Sequence, residues 1–361
     1  MSKSASLGNR LYRGEISFDI VNRRRAWYVL SAIFIAISIA TLALRGLNLG
    51  IEFKGGAEFT VPVSNAQTSD VTKARDAVAS AGQEASSVTI VGGNKIRVQT
   101  PTLTIKESNK VNTALASTFN VADTDIKVQI VGPTWGSEVS KNAARALLLF
   151  LILVALFLSI YFEWPMAIAG LIALGHDVLI TVGIYALSGF EVTPATVIGF
   201  LTILGYSLYD TVVVFDKVKE NTKGITSGSR MTYSEAANLA LNQTLMRSIN
   251  TSIIALLPVL SILVVGVVLL GAGTLNDLAL ALFVGMLVGT YSSIFIATPI
   301  LTQLKERQAP MKDLAKRVHA RRKNAGIDEE SLTAAVLAPT YVAPAGPRQQ
   351  RVKKPRSARG K

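Results

Sequence analysis

The sequence predicts a polytopic α-helical membrane protein: six transmembrane helices, with one extracytoplasmic α+β domain of ferredoxin-like βαββαβ order between the first and second. Three observations predict it. Half of the 361 residues are hydrophobic and only 17% are charged, against about 25% in an ordinary soluble domain. Six apolar runs are long enough to cross a hydrocarbon core about 30 Å thick, which takes roughly 20 helical residues. One polar stretch of domain size separates the first run from the other five. A soluble enzyme and a disordered chain are both excluded as starting points, the latter because it needs low hydrophobicity.

The elements follow in order. Residues 1–25 form a cytoplasmic N-terminal segment and 26–45 the first span. Its apolar run is too long for a cleaved signal peptide, and no small-residue cleavage pattern follows. Residues 46–142 form the extracytoplasmic domain. The next spans occupy 143–162, 165–187 and 193–215, with Pro165 and Pro194 at helix starts, where a missing N–H costs no hydrogen bond. A cytoplasmic loop covers 216–244, and the last spans occupy 245–270 and 276–301. The remainder, 302–361, is a basic cytoplasmic tail expected to be disordered at its end.

Orientation comes from where the basic residues fall. Six precede the first span, with Arg23, Arg24 and Arg25 at its edge, and 15 follow the sixth. Lys217, Lys219, Lys223 and Arg230 lie in the loop after the fourth. The positive-inside rule therefore puts both termini in the cytoplasm. The net charge of +13 then points to an anionic lipid surface rather than to nucleic acid.

Within the outer stretch, residues 58–63 read as a strand. Ser69 is placed to cap a helix that stops at Gly82. Strands at 87–91 and 95–100 flank the hairpin signal Gly92-Gly93-Asn94. Thr104 and Glu107 form a capping box for a helix reaching about residue 119, and 126–131 is the last strand. This fold implies no activity by itself.

Cysteine is absent, which removes disulfides, thiolate zinc sites and a cysteine nucleophile. His176 and His319 are the only histidines, so no multi-histidine metal centre is expected, nor any other metal or cofactor. No phosphate loop or hydrolase triad is present, and the chain is not expected to be an enzyme. The residues that carry chemistry are ionisable groups inside the spans, because lipid makes them costly. Asp210 lies about 16 residues into the fourth span, roughly 24 Å from its outer end by helix rise. Tyr206 shares its face one turn back. Arg247 begins the fifth span in the same leaflet, with Thr251 one turn deeper. A carboxylate balanced between desolvation and a nearby cation can exchange protons near neutral pH; the structural alternative is a static ion pair. His176 and Asp177 are adjacent in the third span, facing about 100° apart. Asp177 serves either as a helix contact or as a relay.

The residues Gly205-Tyr206-Ser207-Leu208-Tyr209-Asp210-Thr211-Val212-Val213-Val214-Phe215-Asp216-Lys217-Val218-Lys219-Glu220-Asn221 resemble the signature of the SecD/SecF family of protein-export membrane proteins, in its SecF branch. Gly50-Ile51-Glu52-Phe53-Lys54-Gly55-Gly56 is similar to that family's Gly-Ile-Asp-Phe-Thr-Gly-Gly element, with Glu for Asp and Lys for Thr. His176-Asp177-Val178-Leu179-Ile180-Thr181 and Asn242-Gln243-Thr244-Leu245-Met246-Arg247-Ser248 match further blocks. The resemblance covers roughly residues 10–305.

It implies a subunit of the Sec accessory complex in the bacterial cytoplasmic membrane. Such a subunit pairs with a SecD-like protein, works beside a SecYEG-type channel, and uses the proton-motive force to draw preproteins outward. The family's proton path, carried over, falls on Asp210, Arg247 and Thr251. Two other readings stand beside it. One is half of a small-molecule or lipid exporter of the resistance-nodulation-division type, whose full-length members carry twelve spans. The other is a non-transporting translocon scaffold, which would need no titratable pair.

Overall fold

The computed structural model describes residues 11, 17–269 and 273–324. The expected disorder at the end of the tail, and the last residue of the expected fifth span, lie outside the described residues. Helix α1 (Arg24–Arg45) leads to a short strand β1 (Asn48–Leu49) and a one-turn helix α2 (Ile51–Lys54). Then come β2 (Gly56–Pro62), α3 (Thr68–Ser80), β3 (Ser87–Val91), β4 (Lys95–Thr100), α4 (Ile105–Phe119) and β5 (Lys127–Val131). The helical remainder is α5 (Pro133–Tyr161), α6 (Trp164–Ser188), a second short strand β6 (Glu191–Val192), α7 (Pro194–Thr222) and α8 (Tyr233–Ser261). It closes with α9 (Gly273–Ser292), α10 (Thr298–Glu306) and α11 (Ala309–Asn324). Six helical segments among these are long and apolar enough to cross a membrane, the sixth running from α9 into α10.

Between α1 and α5 lies a four-stranded sheet in the order β3-β4-β2-β5, all neighbours antiparallel. Alternation along β2 buries Ala57, Phe59 and Val61, as the two-residue period of a strand requires. These pack with Ile96 and Val98 of β4 against Val78 of α3 and Val111 and Leu115 of α4. Thr104 caps α4 with Glu107 in a reciprocal box. At α3 the expected cap is displaced: Gln67, not Ser69, is the capping residue. The Gln67 amide donates to Asp70 Oδ2 at 3.0 Å, and a carboxylate is a stronger acceptor than a serine hydroxyl.

Two helices differ in extent from the sequence reading. The helix of the second span already begins at Pro133, straight from β5, because proline at its first turn starts a helix without losing a bond. The helix of the fifth span likewise starts earlier, inside the stretch expected as a loop over 216–244. One continuous helix, capped by the Thr232–Glu235 box, runs from Tyr233 to Ser261, and no glycine or proline interrupts it before Pro258.

The sixth span widens into a π-helix over Ser293–Ala297. Pro299 follows directly and lacks the N–H that would hold the preceding turn. Helices α7 and α9 approach through small residues: a Cβ at Gly289 would sit 2.8 Å from that of Ser207. Such small-residue contacts let membrane helices pack closely, and this one brings α7 against the π turn. Asn238 and Asn242 of α8 hold the chain that leads into α1. Asn242 Oδ1 accepts from the Phe18 amide at 2.7 Å, and Asn238 Oδ1 accepts from the Ile20 amide at 3.0 Å. Arg322 of α11 grips Glu235 with both nitrogens at 2.7 Å.

Candidate functional site

Two carboxylates are buried among the apolar helices. Asp177 is 1% exposed and Asp210 4%. Each accepts hydrogen bonds from serines on two different segments. Asp177 Oδ2, on α6, accepts from Ser207 of α7 at 2.5 Å and from Ser292 of α9 at 2.8 Å. Asp210, on α7, accepts from Ser248 of α8 at 2.6 Å through Oδ1 and from Ser293 of the π turn at 2.5 Å through Oδ2. Short bonds to a carboxylate are the strong kind, and among the described residues no lysine or arginine bonds either group.

The predicted residues fall into two groups. Asp210 and Tyr206 face inward together. Tyr206 Oη donates to Ser252 Oγ at 3.4 Å, which also accepts from Thr290 Oγ1 at 2.8 Å. His176 is buried beside Asp177. Its Nδ1 lies 3.1 Å from Asp177 Oδ1 and its Nε2 3.1 Å from Ser31 Oγ, which in turn lies 3.1 Å from Tyr291 Oη. The two adjacent side chains therefore touch each other and extend a polar chain to the first and sixth spans.

Arg247 is elsewhere. It is exposed on α8 and its Nη2 donates to Tyr209 Oη at 3.3 Å; no ion pair joins it to Asp210 among the described residues. Adjacent helical positions point about 100° apart, so Ser248 takes the inward direction instead. Thr251 shares the Arg247 face, half-buried. Sequence reasoning missed Ser31, Ser207, Ser248, Ser252, Ser292 and Ser293. Their one signal is that hydroxyls inside apolar spans tend to bond across helices. The described residues contain no group of three or more histidine and acidic side chains placed to hold a metal ion.

The four-stranded sheet is joined to the helix that carries Asp210. Residues Asn48–Leu49 of β1 pair in parallel with Glu191–Val192, immediately before α7. Arg97 of β4 bridges Glu191 at 2.9 Å and Glu58 at 3.5 Å. Gln99 donates to the same two carboxylates, at 2.6 and 3.0 Å. Glu58, Arg97 and Glu191 line a cleft together with Glu52 and Asp277. Burial holds the Glu52 carboxyl above the usual carboxylate range.

Comparison with known proteins places these elements. Residues 110–307 match the family described as protein export membrane protein SecD/SecF, C-terminal, and residues 41–67 match the SecD/SecF GG motif. The chain is 47% identical to the protein translocase subunit SecF of Streptomyces coelicolor, over 97% of this chain and 96% of that protein. It is 46% identical to the SecF of Mycobacterium tuberculosis, over 88% and 74%. The crystal structure of SecDF from Thermus thermophilus, a translocon-associated membrane protein, superposes with a TM-score of 0.72 at 31% identity. That match takes in 81% of this chain but only 39% of the SecDF chain.

Proposed function

The chain belongs to the SecD/SecF family of protein-export membrane proteins, and on that premise we propose that it is the SecF-type subunit of a Sec accessory complex driven by the proton-motive force. It is a multi-pass membrane protein of a translocase-subunit family, in which no enzyme activity is indicated. In the proposed assembly it pairs with a SecD-like subunit, works beside a SecYEG-type channel, and assists preproteins across the bacterial cytoplasmic membrane. The observation that carries the reading is Asp210: a carboxylate buried in the bundle, held by two hydroxyls, on the helix tied to the outer sheet through Glu191 and Arg97. A proton gained there changes the charge of a helix whose outer end is fastened to the domain that would meet the substrate.

Arg247 and Thr251 complete the proposed path, with Asp177, His176 and Tyr206 as contacts or relays. The exposed pair Arg247 and Tyr209 suits a surface covered by the partner, since a charge facing lipid is costly. Co-purification tests the assembly. A tagged chain extracted from its native membrane should bring a SecD-like subunit and channel subunits with it. Recovery of the chain alone, still folded, would count against the complex.

We further read the βαββαβ unit as a ferredoxin-like domain outside the cytoplasm, with both termini inside, as the basic-residue partition requires. The strand order supports the fold, since the first strand lies between the third and fourth. Because the chain has no cysteine, single cysteines at Ser64 and Ser229 can be labelled cleanly. They are expected to react with impermeant reagent from opposite sides of the membrane. Labelling of both from one side would overturn this topology.

A further inference from the structure

We propose that Ser292 and Ser293 are positioning residues for proton exchange, two consecutive hydroxyls that each switch between a carboxylate and a backbone carbonyl. The proposal rests on the proton-coupling reading above and adds the device that makes a buried carboxylate exchangeable. Each serine has two acceptors in reach. Ser293 Oγ lies 2.5 Å from Asp210 Oδ2 and 3.1 Å from the Thr290 carbonyl oxygen. Ser292 Oγ lies 2.8 Å from Asp177 Oδ2 and 3.2 Å from the Gly289 carbonyl oxygen. The other two donors differ: among the described residues, Ser248 and Ser207 have only the carboxylates as acceptors. Each aspartate thus has one fixed serine donor and one that can turn away, and Asp177 has His176 against its other oxygen as well.

A hydroxyl carries one proton and two lone pairs. While the aspartate is charged, the closer and stronger acceptor is the carboxylate. When a proton adds to Oδ2, the acid becomes a donor and needs an acceptor, because a buried unsatisfied donor is costly. Rotation about Cβ–Oγ sends the serine proton to the carbonyl three residues back and offers the acid a lone pair. No covalent bond other than O–H changes, and the proton that enters Oδ2 is the one that later leaves. Consecutive helical residues point about 100° apart, so the tandem hydroxyls reach one aspartate each. The titratable neighbours are His176 against Asp177 and Tyr206 near Asp210, while Tyr209 and Arg247 are exposed and contact each other.

The test uses the full chain in complex with its partner, in lipid vesicles, by infrared difference titration. Asp210→Asn assigns the Asp210 band and Asp177→Asn the Asp177 band. Ser293→Ala is expected to raise the apparent pKa of Asp210 by about one unit, a tenfold lower proton concentration, since the lost bond favoured the charged form more than the neutral one. The neutral-acid carbonyl band should also move to higher frequency, its hydroxyl having lost an acceptor. Ser292→Ala should do the same to Asp177 while leaving the Asp210 midpoint in place. If the alanine variant does not assemble, Ser293→Cys keeps the volume with a weaker donor and should shift the midpoint in the same direction. A parental Asp210 that titrates, with midpoint and band unchanged in the Ser293 variant, overturns the switch and leaves proton coupling standing. A parental Asp210 that never titrates overturns both.

Discussion

Asp210→Asn is expected to abolish the gradient-dependent part of export and to leave the complex assembled. The amide matches the carboxyl in size and can keep both contacts. Ser248 still donates to its oxygen, and the Ser293 oxygen can accept from its NH2 group while its own proton turns to Thr290. The variant therefore imitates the protonated state and holds it permanently. One charge crossing a 100 mV potential is worth about 2.3 kcal/mol, enough to shift a two-state equilibrium nearly fifty-fold. A group that cannot change charge forfeits that whole drive, so export should fall to the level seen without a gradient. The measurement is secretion of a reporter chain in membrane vesicles, with and without an imposed proton gradient, alongside the yield of co-purified partner. A parental gradient response in Asp210→Asn would remove Asp210 from coupling.

Arg247→Met separates two roles in the same assay. Arg247 contacts Tyr209 rather than Asp210, so its removal leaves no buried charge stripped of a partner, the costly case for an ion pair. Abundance should stay near parental while the gradient response is lost, because Arg247 completes the proposed proton path. Thr251→Val should be milder, since water can replace a hydroxyl in part.

Much of this was legible in the amino-acid sequence, for identifiable reasons. The spans are readable because lipid demands about 20 apolar residues from each. Asp177 and Asp210 are readable because a charge in lipid needs a reason. The serines that hold them are not. A single hydroxyl in an apolar helix can bond its own backbone, as Thr181 bonds the Asp177 carbonyl at 2.7 Å, so only three-dimensional contact separates Ser293 from Thr181. Placing Arg247 and Asp210 in one leaflet gave depth without rotation. Rotation hands the inner position to Ser248. The π turn at Ser293–Ala297 also escapes, since nothing in those five residues breaks a helix and only Pro299 beyond them hints at it. The long helix from Pro133 was hidden because its first turns are polar, and a span is recognised by its apolar part.

Gly56→Ala is expected to be the most damaging single-methyl change in the domain built on the four-stranded sheet. Gly56 has φ +147°, a conformation that side chains rarely adopt, and it lies at the junction of the short helix α2 with the first strand of the sheet. A Cβ there would meet the Thr100 carbonyl oxygen at 2.6 Å and Ile51 Cγ2 at 3.2 Å. The first neighbour cannot retreat, because Thr100 sits opposite Ala57 in the β2–β4 ladder. Backbone strain of about 1–3 kcal/mol therefore adds to an overpacking cost of similar size, about 1–3 kcal/mol. Together they consume much of the roughly 5–15 kcal/mol that holds a domain folded. Gly82→Ala is the matched control. Its φ is +78° but nothing lies within 4 Å of the added carbon, so it bears strain alone, about 1–2 kcal/mol. Membrane abundance and protease resistance of the sheet domain, measured on full-length chains, should fall severely for Gly56→Ala and slightly for Gly82→Ala. Equal resistance in the two variants would mean that the contact with Thr100 relaxes.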